Sequence, residues 1–148
     1  MAKTEDIWNE VLSILNTAKL SGSLTYVKEI SAGVRSDIPL FPAIILEPAR
    51  LGEVNHTVPR FIRATFEITI TGWIEVYSPD KQIIGEENDK GILDLERDIK
   101  NELEKYPDLN GKCQKFSFPT TSYSFEMYPY RSVEITMAIE YISEATNR

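Results

Sequence analysis

The segment Arg60–Tyr77 reads RFIRATFEITITGWIEVY and decides the fold of this chain. From Ile62 to Val76 its even-numbered positions are apolar or small, while most of its odd-numbered positions are charged or carry hydroxyl groups. Because side chains of a β-strand alternate between two faces, this pattern predicts one long strand with a buried face and a hydrated face. The even-numbered row consists of Ile62, Ala64, Phe66, Ile68, Ile70, Gly72, Ile74 and Val76.

The predicted strand is long for the domain that contains it. At ~3.3 Å per residue it would extend over roughly 60 Å. A compact domain of this length has a diameter of only about 40 Å. We therefore expect either a bend, with Gly72 as its site, or a projecting end that requires a partner. This geometry favours a protein that assembles over one that catalyses a reaction.

The composition is that of an ordinary globular protein with an acidic surface. The 148 residues predict a single domain over 1–148, with 42% hydrophobic and 26% charged residues. The net charge of −7 disfavours binding to a nucleic-acid phosphate backbone. A single cysteine, Cys113, fits a reducing cytoplasm. No segment approaches the ~20 apolar residues of a membrane span, and we expect the polar, acidic N-terminal segment not to be a signal peptide.

The remaining segments predict two amphipathic helices and several strands around the long one. The predicted elements are a helix over Ile7–Ala18 capped by Thr4, strands over Leu24–Ile30 and Ala43–Leu46, the long strand, a helix over Ile92–Tyr106, and strands over Cys113–Phe118 and Arg131–Ile142. We expect Pro48 to end the strand before it, and Ala49–Pro59 and Ser78–Asn88 to be polar loops. A further loop with several aromatic residues precedes the last strand. The order α-β-β-β-α-β-β predicts an α+β fold, a mostly antiparallel sheet with two helices packed on one face.

The second helix is expected to cover the buried face of the sheet. Its apolar residues recur at steps of three or four, and its opposite face is acidic, with Glu96 paired to Lys100. We interpret that acidic face as solvated. The predicted core joins the sheet positions Ile62, Phe66, Ile68, Ile70, Ile74, Val133, Ile135, Met137 and Ile139 to the helix positions Ile92, Leu95, Ile99 and Leu103.

Candidate catalytic and metal-binding residues are few. His56 is the single histidine and lies among polar loop residues, with no nucleophile in a recognisable motif. Cys113 follows a turn and is predicted to be a structural, partly buried thiol. The acidic group Asp80, Glu86, Glu87 and Asp89 lacks the spacing of a calcium loop, so a solvated loop explains it better. We therefore predict no catalytic, metal or cofactor site.

Aromatic residues on polar segments are the stronger functional signal. Trp73 and Tyr77 lie on the odd-numbered face of the long strand, where either a partner or another part of the same chain covers them. A second group, Tyr123, Phe125, Tyr128 and Tyr130 with Arg131, fits packing under a loop or a subunit contact. A base-stacking platform for single-stranded nucleic acid is a further interpretation, which the lack of a basic groove disfavours.

The chain resembles the tail terminator (tail completion) proteins of long-tailed bacteriophages. The resemblance extends over nearly the whole chain and consists of the order and pattern of its elements. These are the N-terminal helix Ile7–Ala18, the strand Pro42-Ala43-Ile44-Ile45-Leu46, the long strand, the helix Ile92–Tyr106 with spacing Ile-x-x-Leu-x-x-x-Ile-x-x-x-Leu, Leu109-x-Gly111 and the last strand.

The resemblance implies a structural subunit of a hexameric ring at the head-proximal end of the virion tail, assembled in the host cytoplasm. Such a ring stops polymerisation of the tail-tube protein and provides the surface for the head–tail connector protein, while DNA passes through without specific binding. A ring interface joins two different patches. We predict subunit contacts at Phe41, Trp73, Tyr77, Ile83, Ile84 and Tyr128, and lumen-facing acidic residues at Glu86, Glu87 and Asp89.

Three other functions remain open at this point. A head–tail connector, neck or tail-tube protein shares several of the same features, although a tube subunit stacks into long polymers. A small-ligand-binding regulatory domain is favoured if a pocket with convergent polar groups exists. An enzyme with an unrecognised site is the third alternative.

Overall fold

The computed structural model describes residues 3–33, 40–55, 61–86 and 90–144. The elements in these ranges are α1 (Thr4–Ser21), β1 (Glu29–Ala32), β2 (Ala43–Asn55), β3 (Phe61–Glu75), a 3₁₀ turn (Pro79–Lys81), α2 (Ile92–Glu104), β4 (Lys115–Met127) and β5 (Tyr130–Glu144). Their order is the predicted α-β-β-β-α-β-β. The helices pack against a mostly antiparallel sheet, which confirms the predicted α+β class.

The five strands form one sheet in the order β1-β2-β3-β5-β4. Among the described strands, β1 and β2 pair in parallel, whereas β2 with β3, β3 with β5 and β5 with β4 are antiparallel. The long strand β3 is therefore central, with a partner on each side. The β4–β5 hairpin supplies one edge of the sheet, and β1 with the distal part of β2 supplies the other.

The strand β3 confirms the alternation and corrects the idea of a projecting arm. Its even-numbered residues are buried from Ile62 to Ile74, and its odd-numbered residues are half-buried or exposed. Fifteen residues extend over roughly 50 Å, but β5 is equally long and pairs with β3 from Phe61 to Glu75. The register runs through Gly72 without a bulge. The chain thus supplies the partners of its own long strand.

The predicted core is confirmed residue by residue. Every predicted sheet and helix position of the core is 5% exposed or less. Gly72 permits the close approach of α2, because a Cβ atom there would lie 2.6 Å from Cδ2 of Leu95. The helix α1 adds its own apolar face to the same cluster, through Ile7, Val11, Ile14, Leu15 and Ala18.

The start of α1 differs from the prediction in one respect. The residue before the helix is Lys3, not Thr4, and its backbone N–H donates to the Asp6 carboxylate (3.1 Å). Thr4 is the first helical residue, and its hydroxyl hydrogen-bonds the hydroxyl of Tyr141 in β5. The Thr4 side chain therefore links α1 to the sheet rather than capping the helix.

Three strand boundaries were predicted wrongly. β1 begins at Glu29, because the residues from Ser23 to Tyr26 form a turn. β2 continues through Pro48 to Asn55, with a register shift between Pro48 and Arg50. β4 likewise continues through Pro119, at a shift between Ser117 and Thr120. Proline is tolerated at both places because Pro48 lies beyond the end of β1 and β4 is an edge strand. Each strand has an open side there, where a residue without an N–H group breaks no hydrogen bond of the sheet.

Candidate assembly surface

Several elements converge at one end of the sheet. Ala43, the first residue of β2, pairs with Trp73 near the end of β3. Glu75, the last residue of β3, pairs with Tyr130, the first residue of β5. The start of β2, the end of β3 and the β4–β5 turn therefore lie side by side. We call this region the aromatic end and define it by Phe41, Trp73, Tyr77, Phe125, Tyr128, Tyr130 and Arg131.

Ring contacts hold the aromatic end together. The rings of Phe41 and Tyr130 lie 5.2 Å apart, and those of Tyr77 and Tyr128 lie 6.4 Å apart, edge to face. The Tyr128 hydroxyl donates to the carbonyl oxygen of Tyr77 (2.6 Å). Both tyrosines nevertheless remain more than half exposed, at 63% for Tyr77 and 57% for Tyr128.

Arg131 lies between two rings of the aromatic end. Its guanidinium carbon is 5.3 Å from the centroid of the Phe125 ring and 5.9 Å from that of the Tyr128 ring, within cation–π range. Its Nη1 donates to the carbonyl oxygen of Tyr130 (2.8 Å). Its Nε is buried and has no acceptor among the described residues. Since buried donors are nearly always paired, this nitrogen calls for an acceptor other than the described residues.

The segment that follows β3 presents two isoleucines beside this region. We call residues 82–86 the isoleucine loop. The Gln82 amide donates to the carbonyl oxygen of Val76 (2.7 Å), and the backbone N–H of Ile92 donates to that of Gln82 (2.8 Å). Ile83 and Ile84 are 49% and 64% exposed. The loop is thus anchored by polar contacts while its apolar side chains face outward.

The acidic face of α2 anchors this loop, which corrects the prediction that the face is solvated. Asp94, Asp98 and Glu102 follow one another at steps of four and are buried. Asp94 accepts hydrogen bonds from the backbone N–H groups of Gly85 (2.7 Å) and Gly91 (2.9 Å). Burial opposes ionisation of Asp94, but these two donors and the nearby charges of Arg97 and Lys90 together outweigh it and lower the pKa of the carboxyl. Asp94 therefore fixes both ends of the segment that leads into α2.

The other two buried carboxylates hold the turn after α1. Asp98 accepts a hydrogen bond from the Tyr26 hydroxyl (2.8 Å). Burial and this bond raise the pKa of Tyr26. Glu102 accepts from the backbone N–H (2.9 Å) and the hydroxyl (2.7 Å) of Ser23, and from Lys105 (2.9 Å). The predicted pair of Glu96 and Lys100 is present at 2.8 Å.

Exposed apolar side chains are concentrated at this end of the molecule. Ten large hydrophobic residues are exposed among the described residues, and eight belong to the aromatic end or adjoin it. These eight are Leu40, Tyr77, Ile83, Ile84, Leu93, Tyr123, Phe125 and Tyr128. The other two exposed hydrophobic residues of the described ranges, Leu20 and Leu51, lie elsewhere. Such clustering is typical of a surface that contacts a partner.

The structure brings the predicted contact residues together. Phe41, Trp73, Tyr77 and Tyr128 belong to the aromatic end, and Ile83 and Ile84 lie in the adjoining loop. Trp73 is half-buried. The prediction that Tyr123, Phe125 and Tyr130 lie in a loop was wrong: they belong to β4 and β5, with the rings of Tyr123 and Phe125 stacked 6.4 Å apart.

The structure describes some of the residues predicted to face the lumen or considered as candidates for catalysis or metal binding. Glu86 is exposed and 3.7 Å from the ammonium group of Lys81. Glu87, Asp89 and His56 lie outside the described residues. Burial and the nearby Asp108 raise the pKa of Cys113 to about 11, as expected for a structural thiol.

Within the described ranges, no group of three His, Cys, Asp or Glu side chains is arranged to hold a metal ion. In the same ranges no helix is both long enough and apolar enough to cross a membrane.

Sequence reasoning missed the anchoring role of Asp94 and its neighbours on α2. Their spacing of four was visible, but an acidic row on an amphipathic helix usually faces water. The available signal was the presence of glycines in two nearby segments, Ser21-Gly22-Ser23 and the segment bounded by Gly85 and Gly91. Their backbone N–H groups and Ser23 supply the donors that make burial of these carboxylates tolerable.

Comparison with known proteins adds a likeness of fold. No protein-family model matches this chain, and no curated protein matches it. A similar solved structure is a chain of the "Virion of native gene transfer agent (GTA) particle". The match covers 90% of this chain and 92% of that chain, with a TM-score of 0.53 and 9% sequence identity. This chain therefore shares its fold with a chain of a solved virion.

Proposed function

We propose that this protein is a structural protein of a phage-like particle, a tail terminator that forms a homohexameric ring at the head-proximal end of the tail. The ring ends polymerisation of the tail tube and offers the attachment surface for the head–tail connector. Its role is mechanical rather than catalytic. The observation that carries the proposal is the shared fold with a chain of a gene transfer agent virion, over nine-tenths of both chains.

The aromatic end supports a role in assembly. Proteins that stay monomeric rarely expose large contiguous apolar patches, and aromatic residues and arginine are enriched at protein interfaces. Here Tyr77, Phe125 and Tyr128 are 46% to 63% exposed around the guanidinium of Arg131. A neighbouring copy, the tube protein or the connector would cover them.

The charge of the chain suits a pore for DNA. A net charge of −7 favours passage of a polyanion without adhesion, and the proposal keeps Glu86, Glu87 and Asp89 as lumen-facing residues. We expect no measurable affinity for duplex DNA at physiological salt. Fluorescence anisotropy of a labelled duplex tests this at low and at physiological salt. A micromolar, salt-sensitive binding curve would contradict the pore role.

A reconstitution experiment tests the function itself. The tail-tube protein of the same particle is allowed to polymerise with and without this protein, and tube lengths are measured by electron microscopy. We expect short tubes with a ring at one end. Unchanged lengths with no bound protein would contradict the proposal.

The same experiment separates the terminator from its nearest alternatives. A tail-tube subunit would polymerise by itself into long tubes in the absence of any other protein. A connector or neck protein would bind finished tubes without changing their length. Only a terminator changes the length distribution while forming closed rings of its own.

A further inference from the structure

We propose that the aromatic end and the isoleucine loop are the two halves of one subunit interface. In the ring, Ile83 and Ile84 of one copy cover Phe125 and Tyr128 of the next copy, and Glu86 of the first copy binds Arg131 of the second. The inference rests on the proposed ring and adds the residues that close it.

The aromatic end supplies the positive charge of the proposed interface, the guanidinium group of Arg131. Arg131 is flanked by the Phe125 and Tyr128 rings, and it pairs with no carboxylate among the described residues. Its buried Nε has no acceptor there either. A carboxylate is the acceptor that best matches a guanidinium, because two parallel N–H groups can donate to its two oxygens. A partner that brings an acidic group next to apolar side chains would therefore suit both Arg131 and the rings beside it.

The isoleucine loop has that composition. Ile83 and Ile84 are about half exposed or more, and the side chain of Glu86 is 76% exposed. The ion pair of Glu86 with Lys81, at 3.7 Å on the surface, contributes little to stability. Glu86 is therefore free to exchange Lys81 for a more buried cation on a neighbouring copy.

The backbone of the loop is already in place. The Gly85 N–H is held by Asp94, and the Leu93 N–H donates to the carbonyl oxygen of Ile83 (3.0 Å). A Cβ atom on Gly91 would lie 2.4 Å from that carbonyl oxygen, so the loop packs closely against the start of α2. A preformed loop loses little conformational entropy on binding.

The placement of the two halves suits a ring. A ring interface is heterologous, so it needs two different and complementary patches on each subunit. The aromatic end includes Phe125 and Arg131 at the β4 side of the sheet, while the loop joins the central strand to α2. Both lie at the same end of the sheet. In the ring we propose, the axis runs parallel to the strands, and the loop of one copy faces the aromatic end of the next.

A charge exchange tests this pairing directly. The variants Arg131→Glu and Glu86→Arg are prepared singly, and the assembly of each is measured by sedimentation velocity across a wide concentration range. Each single variant places like charges at every interface, so we expect its association to weaken by roughly 30-fold or more. The double variant restores opposite charges at every interface and should assemble like the wild type.

A mixture of the two single variants gives the sharpest readout. In a ring with alternating variants, the glutamate introduced at position 131 of one subunit meets the arginine introduced at position 86 of its neighbour. Every remaining interface keeps the original pair of Glu86 and Arg131. The mixture should therefore form rings with equal numbers of both variants, although neither variant does so alone, and native mass spectrometry counts them.

The variant Arg50→Glu is the matched control for these charge reversals. Arg50 is exposed on β2, away from both patches, and its guanidinium lies 3.8 Å from the Glu67 carboxylate. Reversing its charge alters the net charge as much as Arg131→Glu does. Because Arg50 lies in neither half of the proposed interface, this variant should assemble normally.

The outcomes separate the pairing from the function. Rings formed by the single variants as readily as by the wild type would overturn the pairing and leave the ring intact. Failure of both the double variant and the mixture to assemble, with all chains folded by circular dichroism, would also overturn it. A wild-type protein that stays monomeric at every concentration and on tail tubes would contradict the proposed function and the pairing together.

Discussion

The helix-covered face of the sheet and the aromatic end are built from similar residues but have opposite environments. Phe66 on the covered face is 5% exposed, whereas Phe125 at the aromatic end is 46% exposed. On the covered face the chain supplies every contact that its apolar side chains need. At the aromatic end, rings remain exposed and a buried guanidinium nitrogen has no acceptor among the described residues. The first region stabilises the subunit, and the second is free to stabilise an assembly.

A matched pair of phenylalanine substitutions should separate the two regions most widely. Phe66→Ala removes a buried ring and leaves a cavity, so we expect a loss of about 3–5 kcal/mol in the free energy of unfolding. Phe125→Ala removes a half-exposed ring and should change stability far less. Urea denaturation measures both values. Equal losses would show that the aromatic end belongs to the core of the subunit.

Two glycines of the sheet allow a buried position to be compared with an open one by adding a single methyl group. Gly72→Ala places a Cβ atom 2.6 Å from Leu95, whereas none of the described residues beyond its chain neighbours lies within 4 Å of a Cβ atom on Gly52. Overpacking a buried contact costs about 1–3 kcal/mol, so Gly72→Ala should destabilise the protein. Gly52→Ala should be neutral or slightly stabilising. Thermal unfolding of the two variants provides the check, and a neutral Gly72→Ala would mean that α2 shifts freely on the sheet.

The buried carboxylate of Glu102 should make the stability of the fold depend on pH in the acidic range. Burial opposes ionisation of Glu102, but the hydrogen bonds from Ser23 and Lys105 outweigh it and lower its pKa below 4.5. Such a group stabilises the fold above the unfolded-state pKa and loses this contribution as the pH falls through the folded-state value.

Glu102→Gln should therefore cost about 1–3 kcal/mol near neutral pH and should flatten the loss of stability below about pH 4.5. Urea denaturation at a series of pH values measures both effects. Glu104→Gln, an exposed position on the same helix, is the control. An identical acid dependence in wild type and Glu102→Gln would exclude Glu102 as a source of acid sensitivity.

The double substitution of Ile83 and Ile84 should change the stability of the subunit least of these variants while disrupting its assembly. Replacing both Ile83 and Ile84 by serine removes exposed side chains, so the free energy of unfolding should change by less than about 0.5 kcal/mol. In complementation we expect tails of uncontrolled length, measured by electron microscopy. Leu20→Ser is the control, because Leu20 is 82% exposed outside this surface. Normal tails from a well-expressed double variant would show that the loop is not an assembly element.

The sequence was sufficient to predict the core on the helix-covered face, because the periodicity of apolar residues identifies buried positions. Strict alternation in β3 and β5, and steps of three and four in α2, identify the core residues without any knowledge of tertiary contacts. The prediction failed at Pro48 and Pro119, where proline is usually a sign that a strand ends. The chain continues in both strands because each proline lies on an open edge, which is a property of the sheet order and not of the local sequence.

The aromatic end was only partly predictable, for a related reason. Trp73, Tyr77 and Tyr128 stand out as aromatic residues in polar surroundings, so a contact role could be inferred from them. Their proximity to Phe41 depends on the pairing of β2 with β3, and the position of Arg131 between two rings depends on the β4–β5 hairpin. Such contacts between distant segments depend on the register in which the strands pair, and the alternation of apolar residues alone does not specify that register.

The central pairing of β3 with β5 has a consequence for how the chain folds. The hairpins β2–β3 and β4–β5 connect neighbouring segments, but the contact between them joins Phe61 to Glu144 and encloses α2. Contacts between distant segments form slowly because a long loop must close first. During synthesis, β3 lacks its pairing partner β5 until α2 and β4 have been made. We expect docking of the two hairpins to limit the folding rate, so Ile135→Val in β5 should slow refolding in stopped-flow experiments more than Leu51→Ala in β2.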